Sequence, residues 1–422
     1  MNPAGGPAPQ IAAEEYARRR EAVWAGAKAS GLSAVAVFYP ARVAYLTGFH
    51  HVATERPIVL VLAGSTHTAL IVPAVEKEHA ESVPGIDHLE VYFEYPGRRH
   101  PLERVADLLR SLVGAGPVGA DHDGVVPYWG YRGPPLSELL GTVVGDAEML
   151  VESLRRVKSV AELECIQVSC DWAAAGHRRM QDAIRAGQTE LECYAPAELE
   201  TLREMIRRMP GWRPRSFGGN GLTAMFVGGR KTAYPHGFVR GHGLQPGDVL
   251  VTGASADIDG YHSELERTMF VGEPSAAQCD AFAKMLALQT RAIDMLRPGL
   301  PMADVDREVA NLAEEMGCAA RLRHHVGHSI GLEAHEAPFL DRGEKAVLEA
   351  GMVLTVEPGL YLPELGGFRH SDTVCITDNG HRVLTEYPRE IEELIIPSDQ
   401  RAGNRGPAGR KSAARTAAGD SR

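Results

Sequence analysis

Short apolar runs alternate with a helical pattern over the first third of the chain. Runs rich in β-branched residues occur at 34–39 (AVAVFY), 57–63 (PIVLVLA) and 68–74 (TALIVPA), as in buried strands. The segment 105–114 (VADLLRSLVG) instead has its apolar residues at helical spacing. This alternation predicts an α/β domain with a partly parallel sheet over residues 11–150.

A different pattern begins near residue 151 and continues to residue 400. It opens with a long helical stretch, after which Gly187 ends the helix and Thr189 is placed to cap the next one. From about residue 215 the chain has strand patterns broken by glycines, with two further helices. The three helical stretches cover 160–186, 275–297 and 302–317. A chain of 422 residues is too long for one compact core, so we expect two domains.

The two ends of the chain differ from these blocks in composition. Residues 1–10 are rich in proline, glycine and alanine, which predicts a flexible N-terminus. Residues 401–422 lack aromatic and large apolar side chains. Such a segment cannot bury enough surface to fold, so we expect a disordered tail.

Overall composition narrows the class of protein. The hydrophobic fraction of 44% and the charged fraction of 23% are those of an ordinary soluble globular protein. A formal net charge of −11 argues against a general nucleic-acid or membrane-surface binder, because both need basic surface. No apolar run reaches the roughly 20 residues of a membrane helix. The six cysteines form no CxxC pair, and we interpret them as reduced thiols of a cytoplasmic protein.

Candidate chemistry is concentrated in three motifs of the second block. They are VLVTGASADIDGYHSELERT at 249–268, His324-x-x-Gly327-His328, and Val356-Glu357-Pro358-Gly359. Together they resemble the pita-bread hydrolases, the superfamily of methionine aminopeptidase, Xaa-Pro peptidases and creatinase. The resemblance implies a mixed α/β protein with an N-terminal creatinase-like domain and a C-terminal pita-bread domain. In that fold a curved antiparallel sheet holds the active site in its concave face.

The resemblance also identifies candidate metal ligands. In the peptidases five residues bind two divalent ions, and the matching positions here are Gly253, Glu264, His328, Glu357 and Ser371. The peptidase ligands supply four negative charges, whereas these residues supply two at most. Unpaired buried charge is costly, so we do not expect a dinuclear centre. The alternative is a single Mn, Zn or Fe ion held by Glu264, His328 and Glu357.

Creatinase, a metal-free relative, suggests a different chemistry. It has a glutamate in Leu-Glu-Arg-Thr, matched here by Glu266, and its catalytic histidine is in the register of His236. Strand alternation points Glu266 and Glu264 to the same face. Imidazole titrates near neutral pH, so His236 would relay a proton while Glu266 and Glu357 hold a cationic or amide nitrogen of the substrate. No metal is required by this hypothesis.

Two further histidines and three other residues complete the candidate site. His328 and His335 match histidines that peptidases and creatinase share, so both are candidate catalytic residues in either case. Creatinase has a carboxylate-binding arginine where this chain has Phe339. The candidates for binding substrate here are therefore Arg342, Arg56 and Tyr45. In this family first-domain loops reach across a dimer into the neighbouring site, so we expect a homodimer.

Three hypotheses follow. The leading one is a hydrolase of a C–N bond in a small molecule, run by His236, Glu266 and Glu357 without an essential metal. The alternative enzyme is an Xaa-Pro dipeptidase or aminopeptidase with a mononuclear metal site, acting on dipeptides. The third is a non-catalytic peptide-binding pita-bread module. Retention of the candidate catalytic residues argues against this last hypothesis.

Overall fold

The computed structural model describes residues 3, 5–64, 67–93, 99–124, 133–215, 222–239, 241 and 243–398, without the side chains of 223–226. The tail predicted at 401–422 lies outside the described residues. Part of the N-terminus predicted to be flexible is held by hydrogen bonds. Gly6 N–H donates to the Arg208 carbonyl over 3.0 Å, and Ala8 N–H donates to the Pro210 carbonyl over 3.4 Å. A Pro/Gly-rich composition excludes a helix but leaves backbone N–H groups free to bond elsewhere.

The first block is a six-stranded sheet with strand order β4-β3-β2-β1-β5-β6. Its strands are β1 (Ala34–Val37), β2 (Val59–Leu62), β3 (Thr68–Pro73), β4 (His88–Tyr92), β5 (Val118–Ala120) and β6 (Gly145–Asp146). The pairs β3/β4, β1/β5 and β5/β6 are parallel, and β1/β2 and β2/β3 are antiparallel. The prediction of a partly parallel sheet is confirmed. Every residue of β1, β2 and β3 is buried, which explains their continuous apolar runs.

Helices cover this sheet. They are α1 (Ala13–Ala29), α2 (Pro40–Thr47), α3 (Lys77–Glu81), α4 (Pro101–Val113), α5 (Leu136–Leu140) and α6 (Glu148–Arg156). The helical pattern at 105–114 falls on α4 up to the last helical residue, Val113, and α4 buries its Leu102, Val105 and Leu109.

Two long capped helices begin the second block. They are α7 (Val160–Ala183) and α8 (Glu190–Arg208). Ser159 and Thr189 each form a capping box, in which the hydroxyl accepts a backbone N–H and a glutamate three residues on returns the bond. The predicted cap at Thr189 is confirmed, while α7 ends three residues before Ala186, the predicted last position.

The remaining strands form antiparallel layers. They are β7 (Leu222–Gly228), β8 (Val249–Ala256), β9 (Leu265–Val271), β10 (Gly327–Ser329), β11 (Glu336–Leu340), β12 (Val353–Val356), β13 (Gly359–Leu362), β14 (Gly366–Arg369), β15 (Asp372–Thr377), β16 (Gly380–Val383) and β17 (Ile395–Ile396). Their orders are β17-β9-β8-β7, β11-β10-β12-β15-β16 and the hairpin β13-β14. All of these pairs are antiparallel except β17/β9. Helices α9 (Ala276–Met295) and α10 (Met302–Glu315) pack against them, in the positions that their apolar spacing predicts.

One backbone contact joins the two larger sheets of this block. Glu266 N–H donates to the Ser371 carbonyl over 3.0 Å, and Ser371 N–H returns a bond of 3.1 Å to the Glu266 carbonyl. The fully buried ion pair of Arg267 with Asp372, at 2.8 Å, lies next to this contact. The junction fixes the two strands from which candidate site residues project. The predicted mixed α/β class is confirmed.

A buried polar cluster links the two blocks. The Arg19 guanidinium, on α1, lies 3.5 Å from a Glu162 oxygen of α7 and donates to the Tyr261 hydroxyl over 3.3 Å. Tyr261 in turn donates to Glu162 over 2.9 Å. Within the described residues, no helix combines the length and the apolarity that crossing a membrane would require.

Candidate active site

The hairpin β8/β9 presents two glutamates to one point. Glu266 lies in β9, and Glu264 immediately precedes it, held by its backbone N–H donating to the Thr373 hydroxyl over 2.8 Å. Carboxylate oxygens of Glu264, Glu266 and Glu357 all lie within 4.8 Å of one another. The alternation of side chains along the strand therefore brings both glutamates to the same site, as the sequence predicts.

Strand β10 and the turn after β12 supply the opposite wall. His328 is fully buried in β10, and its backbone N–H donates to the Thr355 hydroxyl over 3.0 Å. Glu357 directly follows β12 and donates its N–H to the Val326 carbonyl over 2.7 Å. Gly327 allows this close packing, because a Cβ there would lie 2.0 Å from the Thr355 carbonyl oxygen.

The imidazole of His328 has one satisfied and one unsatisfied nitrogen. Nδ1 lies 3.0 Å from the Ser329 carbonyl oxygen, to which it can only donate. Nε2 is 3.1 Å from a Glu357 oxygen and 3.9 Å from a Glu264 oxygen. The Glu357 contact is close enough for an ion pair but lies outside the direction of a ring N–H hydrogen bond, so Nε2 has no hydrogen-bond partner within the described residues.

This geometry requires positive charge between the three side chains. In the neutral ring the Nε2 lone pair would face two carboxylates, which is repulsive. A proton or a metal cation at that point removes the repulsion. Two ligand atoms each about 2 Å from an ion lie roughly 3 to 3.5 Å apart. The contact of His328 with Glu357 fits that spacing, and two carboxylates with an imidazole are a donor set for Zn, Mn or Fe.

The ionisation of the cluster reflects the same crowding. Burial, together with the charges of Glu357 and Glu266, raises the pKa of Glu264 to about 8. Burial likewise raises the pKa of Glu266, although Arg369 opposes the shift. Burial would also raise the pKa of Glu357, but the contacts with His328 and Arg369 outweigh it and lower that pKa to about 2. The cluster therefore holds more carboxylates than it can keep ionised without added positive charge.

Arg369 is the site residue to which sequence reasoning assigned no role. At the end of β14, its guanidinium makes a bidentate pair with Glu266, with Nη2 at 2.7 Å from Oε1 and Nε close to Oε2. Nε is also 3.8 Å from a Glu357 oxygen. Nη1 donates to the Tyr361 hydroxyl over 3.2 Å. An arginine two residues before Ser371, in a segment aligned with metal ligands, was the available signal.

The two positions that depart from the peptidase pattern lie at the same site. Gly253 pairs with Glu266 across the β8/β9 ladder and offers no side chain. Ser371 donates its hydroxyl to a Glu264 oxygen over 2.7 Å. Neither position supplies a carboxylate.

His335 and His236 stand at the edge of the cluster. The ring of His335 is exposed and stacks on His328, with centroids 3.8 Å apart and planes inclined by 19°. Partial burial and the charge of His328 lower the pKa of His335, and His236 adds a small effect in the same direction. His236 is exposed and directly follows Pro235, whose carbonyl accepts from Arg369 Nη1 over 3.3 Å.

A cleft lies beside the carboxylates and not over them. Its volume is about 580 Å³, and its walls include Val326 and Pro358, which neighbour the cluster, and Arg342. Arg342 is paired with Asp306 at 3.1 Å, while its side chain stays 69% exposed. The structure thus places this candidate substrate-binding residue in a cleft adjoining the site.

The two candidates from the first domain have other partners within this chain. Arg56 is half-buried and pairs with Glu55 at 2.6 Å. Tyr45 is buried, with the Arg19 guanidinium 4.0 Å from its ring centroid. The burial of the Tyr45 ring and the guanidinium over its face place this residue beside the contact between the domains.

Comparison with known proteins identifies two matching families. Residues 164–378 match metallopeptidase family M24, and residues 19–157 match the creatinase/prolidase N-terminal domain. An Xaa-Pro dipeptidase of Pyrococcus furiosus is 32% identical over 242 residues, which are 57% of this chain and 66% of that protein. An uncharacterised peptidase of Staphylococcus aureus is 26% identical over 350 residues, 83% of this chain and 93% of the relative. The chain thus spans just under two thirds of the first relative.

Solved structures share the whole architecture. A dipeptidase from Mycobacterium ulcerans superposes with a TM-score of 0.77 at 26% identity, covering 92% of this chain and 100% of that one. A prolidase from Pyrococcus furiosus superposes with a TM-score of 0.69 at 26% identity, covering 86% and 99%.

Proposed function

The chain belongs to metallopeptidase family M24, and on that premise we propose that it is a hydrolase that cleaves the peptide bond of short Xaa-Pro peptides. The observation that carries the proposal is the unsatisfied Nε2 of His328, directed at Glu264 and Glu357. The similarity to an Xaa-Pro dipeptidase supports the choice of substrate.

The cation-binding residues of this proposal are Glu264, His328 and Glu357. A divalent cation bound there supplies Lewis acidity toward a substrate carbonyl. Hydrogen bonds orient two of the residues that would hold it. The Ser329 carbonyl fixes the His328 tautomer, and the Ser371 hydroxyl holds one Glu264 oxygen.

Proton transfer is assigned to the exposed histidines at the rim. His335 is exposed, has a lowered pKa and stacks on His328, so near neutral pH it can accept a proton beside the reacting bond. His236 is on the facing loop, and its exposure leaves it free to bind the substrate or to exchange a proton with water.

A short peptide suits the cleft beside the cluster. A volume of about 580 Å³ lies within the range of roughly 300 to 1,000 Å³ found for small-ligand sites. We propose that Arg342, which lines it, binds the carboxylate of the substrate. The largely exposed guanidinium retains donors that its pairing with Asp306 through Nε does not use.

The metal-free hydrolase of small cationic molecules is the second candidate, favoured by a carboxylate at Glu266. Its substrate nitrogen would bind between Glu266 and Glu357. Arg369 already occupies both oxygens of Glu266, so substrate binding would have to displace a buried guanidinium. That cost makes the peptidase the better-supported proposal.

The two candidates are separated by an assay of the purified full chain. Hydrolysis of Xaa-Pro and matched Xaa-Ala dipeptides, and of creatine, is measured with chelator and after addition of Mn²⁺, Zn²⁺ or Fe²⁺. We expect chelator-sensitive cleavage of Xaa-Pro that Glu264→Gln abolishes and the exposed control Glu200→Gln retains. Chelator-resistant turnover of creatine, or no peptide cleavage with any of these ions, would overturn the proposal.

A further inference from the structure

A buried guanidinium lies inside the carboxylate cluster. The side chain of Arg369 is 6% exposed, and each of its three nitrogens has a partner. Nε and Nη2 bind the two oxygens of Glu266, and Nη1 donates to the Tyr361 hydroxyl and the Pro235 carbonyl. A guanidinium with this many directed bonds is fixed in place, because moving it would leave several buried polar atoms unsatisfied.

Space for Glu266 comes from the opposite strand. Gly253 faces Glu266 across the ladder, and a Cβ at this glycine would lie 3.0 Å from Glu266 Cγ and 3.1 Å from the Leu265 carbonyl oxygen. A larger side chain at position 253 would therefore displace Glu266 and, with it, the partner of Arg369.

We propose that the Glu266–Arg369 ion pair takes the place of a second metal cation, so that this site binds one divalent cation per chain. The inference rests on the proposed function in that it concerns the cation content of the same site. Arg369 provides permanent positive charge beside Glu357, where its Nε lies 3.8 Å from a carboxylate oxygen.

Charge balance supports one cation and opposes two. Glu264, Glu266 and Glu357 carry three negative charges when ionised, and Arg369 carries one positive charge. The remaining two negative charges match a single divalent cation. A second divalent cation would meet the guanidinium at close range without a free carboxylate, because both Glu266 oxygens are bound to Arg369. Ser371 offers a neutral hydroxyl, which is already donated to Glu264.

The test is the number of cations bound per chain, measured on the full chain by native mass spectrometry and by calorimetric titration with Mn²⁺ and Zn²⁺. We expect one cation per wild-type chain. Two cations, or none, would overturn the inference. Because no peptide is cleaved in this measurement, a chain that binds one cation and hydrolyses nothing would keep the inference and lose the proposed function.

Two variants test whether the ion pair sets this number. The exchange Gly253→Asp with Glu266→Thr and Ser371→Glu should bind two cations per chain. If that triple variant does not fold, Arg369→Gln frees the Glu266 carboxylate and should gain a second, weaker binding event. The surface variant Arg321→Gln, which removes an exposed pair with Glu364, should bind one cation like the wild type. A folded Arg369→Gln protein that still binds only one cation contradicts the proposal.

Discussion

The imidazole of His328 connects the geometry of the site to its proposed cation. Replacing it in His328→Asn removes one of three ligands, so we expect Mn²⁺ to lose its effect on thermal stability. In the wild type a cation at 100 times its Kd adds about 2.7 kcal/mol to the free energy of unfolding. Xaa-Pro cleavage should fall at least about 100-fold. Losing a residue that only hydrogen-bonds to a ligand costs up to about 100-fold, and losing the ligand itself should cost no less.

Thermal unfolding with and without Mn²⁺ measures this effect. The control is His122→Asn, which replaces an exposed histidine of the first domain and should keep the full Mn²⁺ response. An undiminished Mn²⁺ response in His328→Asn would show that the cation binds elsewhere.

A second histidine governs stability against acid. His177 is fully buried on α7, donates to the Thr252 hydroxyl over 2.9 Å, and burial with nearby Arg267 lowers its pKa to about 3. In the unfolded chain its pKa is near 6.5. The unfolded state therefore binds a proton first, so the free energy of unfolding should fall as pH drops from about 6.5 towards 3 and be unaffected by this group above 6.5.

Urea unfolding at several pH values checks the sign. In His177→Asn the decline between pH 6.5 and 4 should be shallower by about one proton, which corresponds to roughly 1.4 kcal/mol per pH unit. An identical slope in the variant and the wild type would exclude His177 as a source of the acid sensitivity.

At the residue scale, sequence reasoning reached some members of the cluster and missed others. Glu264 and Glu266 were predicted to share a face because side chains along a strand alternate. The pairing of Glu266 with Arg369 could not be predicted, since the two residues are 103 positions apart and meet only where two sheets join. Tyr45 was proposed for substrate binding because first-domain segments of this family reach the neighbouring site, whereas its burial against Arg19 is visible only in three dimensions.

Among the elements, the segment between β10 and β11 depends on a buried charge network. Glu336 begins β11 and binds Arg155 at 2.7 Å and Lys158 at 3.0 Å, all with side chains no more than 4% exposed. Burial would raise the pKa of Glu336, but these two cations outweigh it and lower that pKa to about 2. The network ties the connection between the domains to the segment that carries His335.

Glu336→Gln would remove a carboxylate from two buried cations: Lys158 loses its ion pair, while Arg155 keeps its pairs with Glu152 and Glu333. We expect it to lower the free energy of unfolding by about 3 to 5 kcal/mol, the usual effect of breaking a buried ion pair from one side. Because the folded pKa is depressed, the contribution of Glu336 should be present above about pH 4.5 and disappear as pH falls towards 2. Urea unfolding at pH 7 measures the loss.

The control for this element is Asp280→Asn, which removes an exposed pair with Lys284 on α9 and should change stability little. A loss below about 1 kcal/mol in Glu336→Gln would mean that water enters and compensates the freed cations.

The helices and most strands near these residues were predictable, because apolar periodicity and caps such as Thr189 are local signals. The charge network was not, because Glu336 is 181 positions from Arg155 and 178 positions from Lys158.

For the whole molecule, the question is how firmly the two domains act as one unit. The contact at Arg19 is fully buried, with its guanidinium 3.5 Å from Glu162, 3.3 Å from the Tyr261 hydroxyl and 2.9 Å from the Tyr45 carbonyl oxygen. Tyr261 belongs to the turn of the β8/β9 hairpin, which also carries Glu264 and Glu266. The domain contact and the candidate site thus share one hairpin.

Arg19→Met should therefore loosen both the contact between the domains and the candidate site. It leaves the buried Glu162 carboxylate without its cation, held by the Tyr261 hydroxyl and the Ser159 backbone N–H, so we expect a loss of about 3 to 5 kcal/mol and a calorimetric trace split into two transitions. The adjacent variant Arg18→Met removes a side chain that is 63% exposed and should unfold like the wild type. If Arg19→Met instead shows one transition and unchanged cation affinity, the hairpin holds its site residues without help from the first domain.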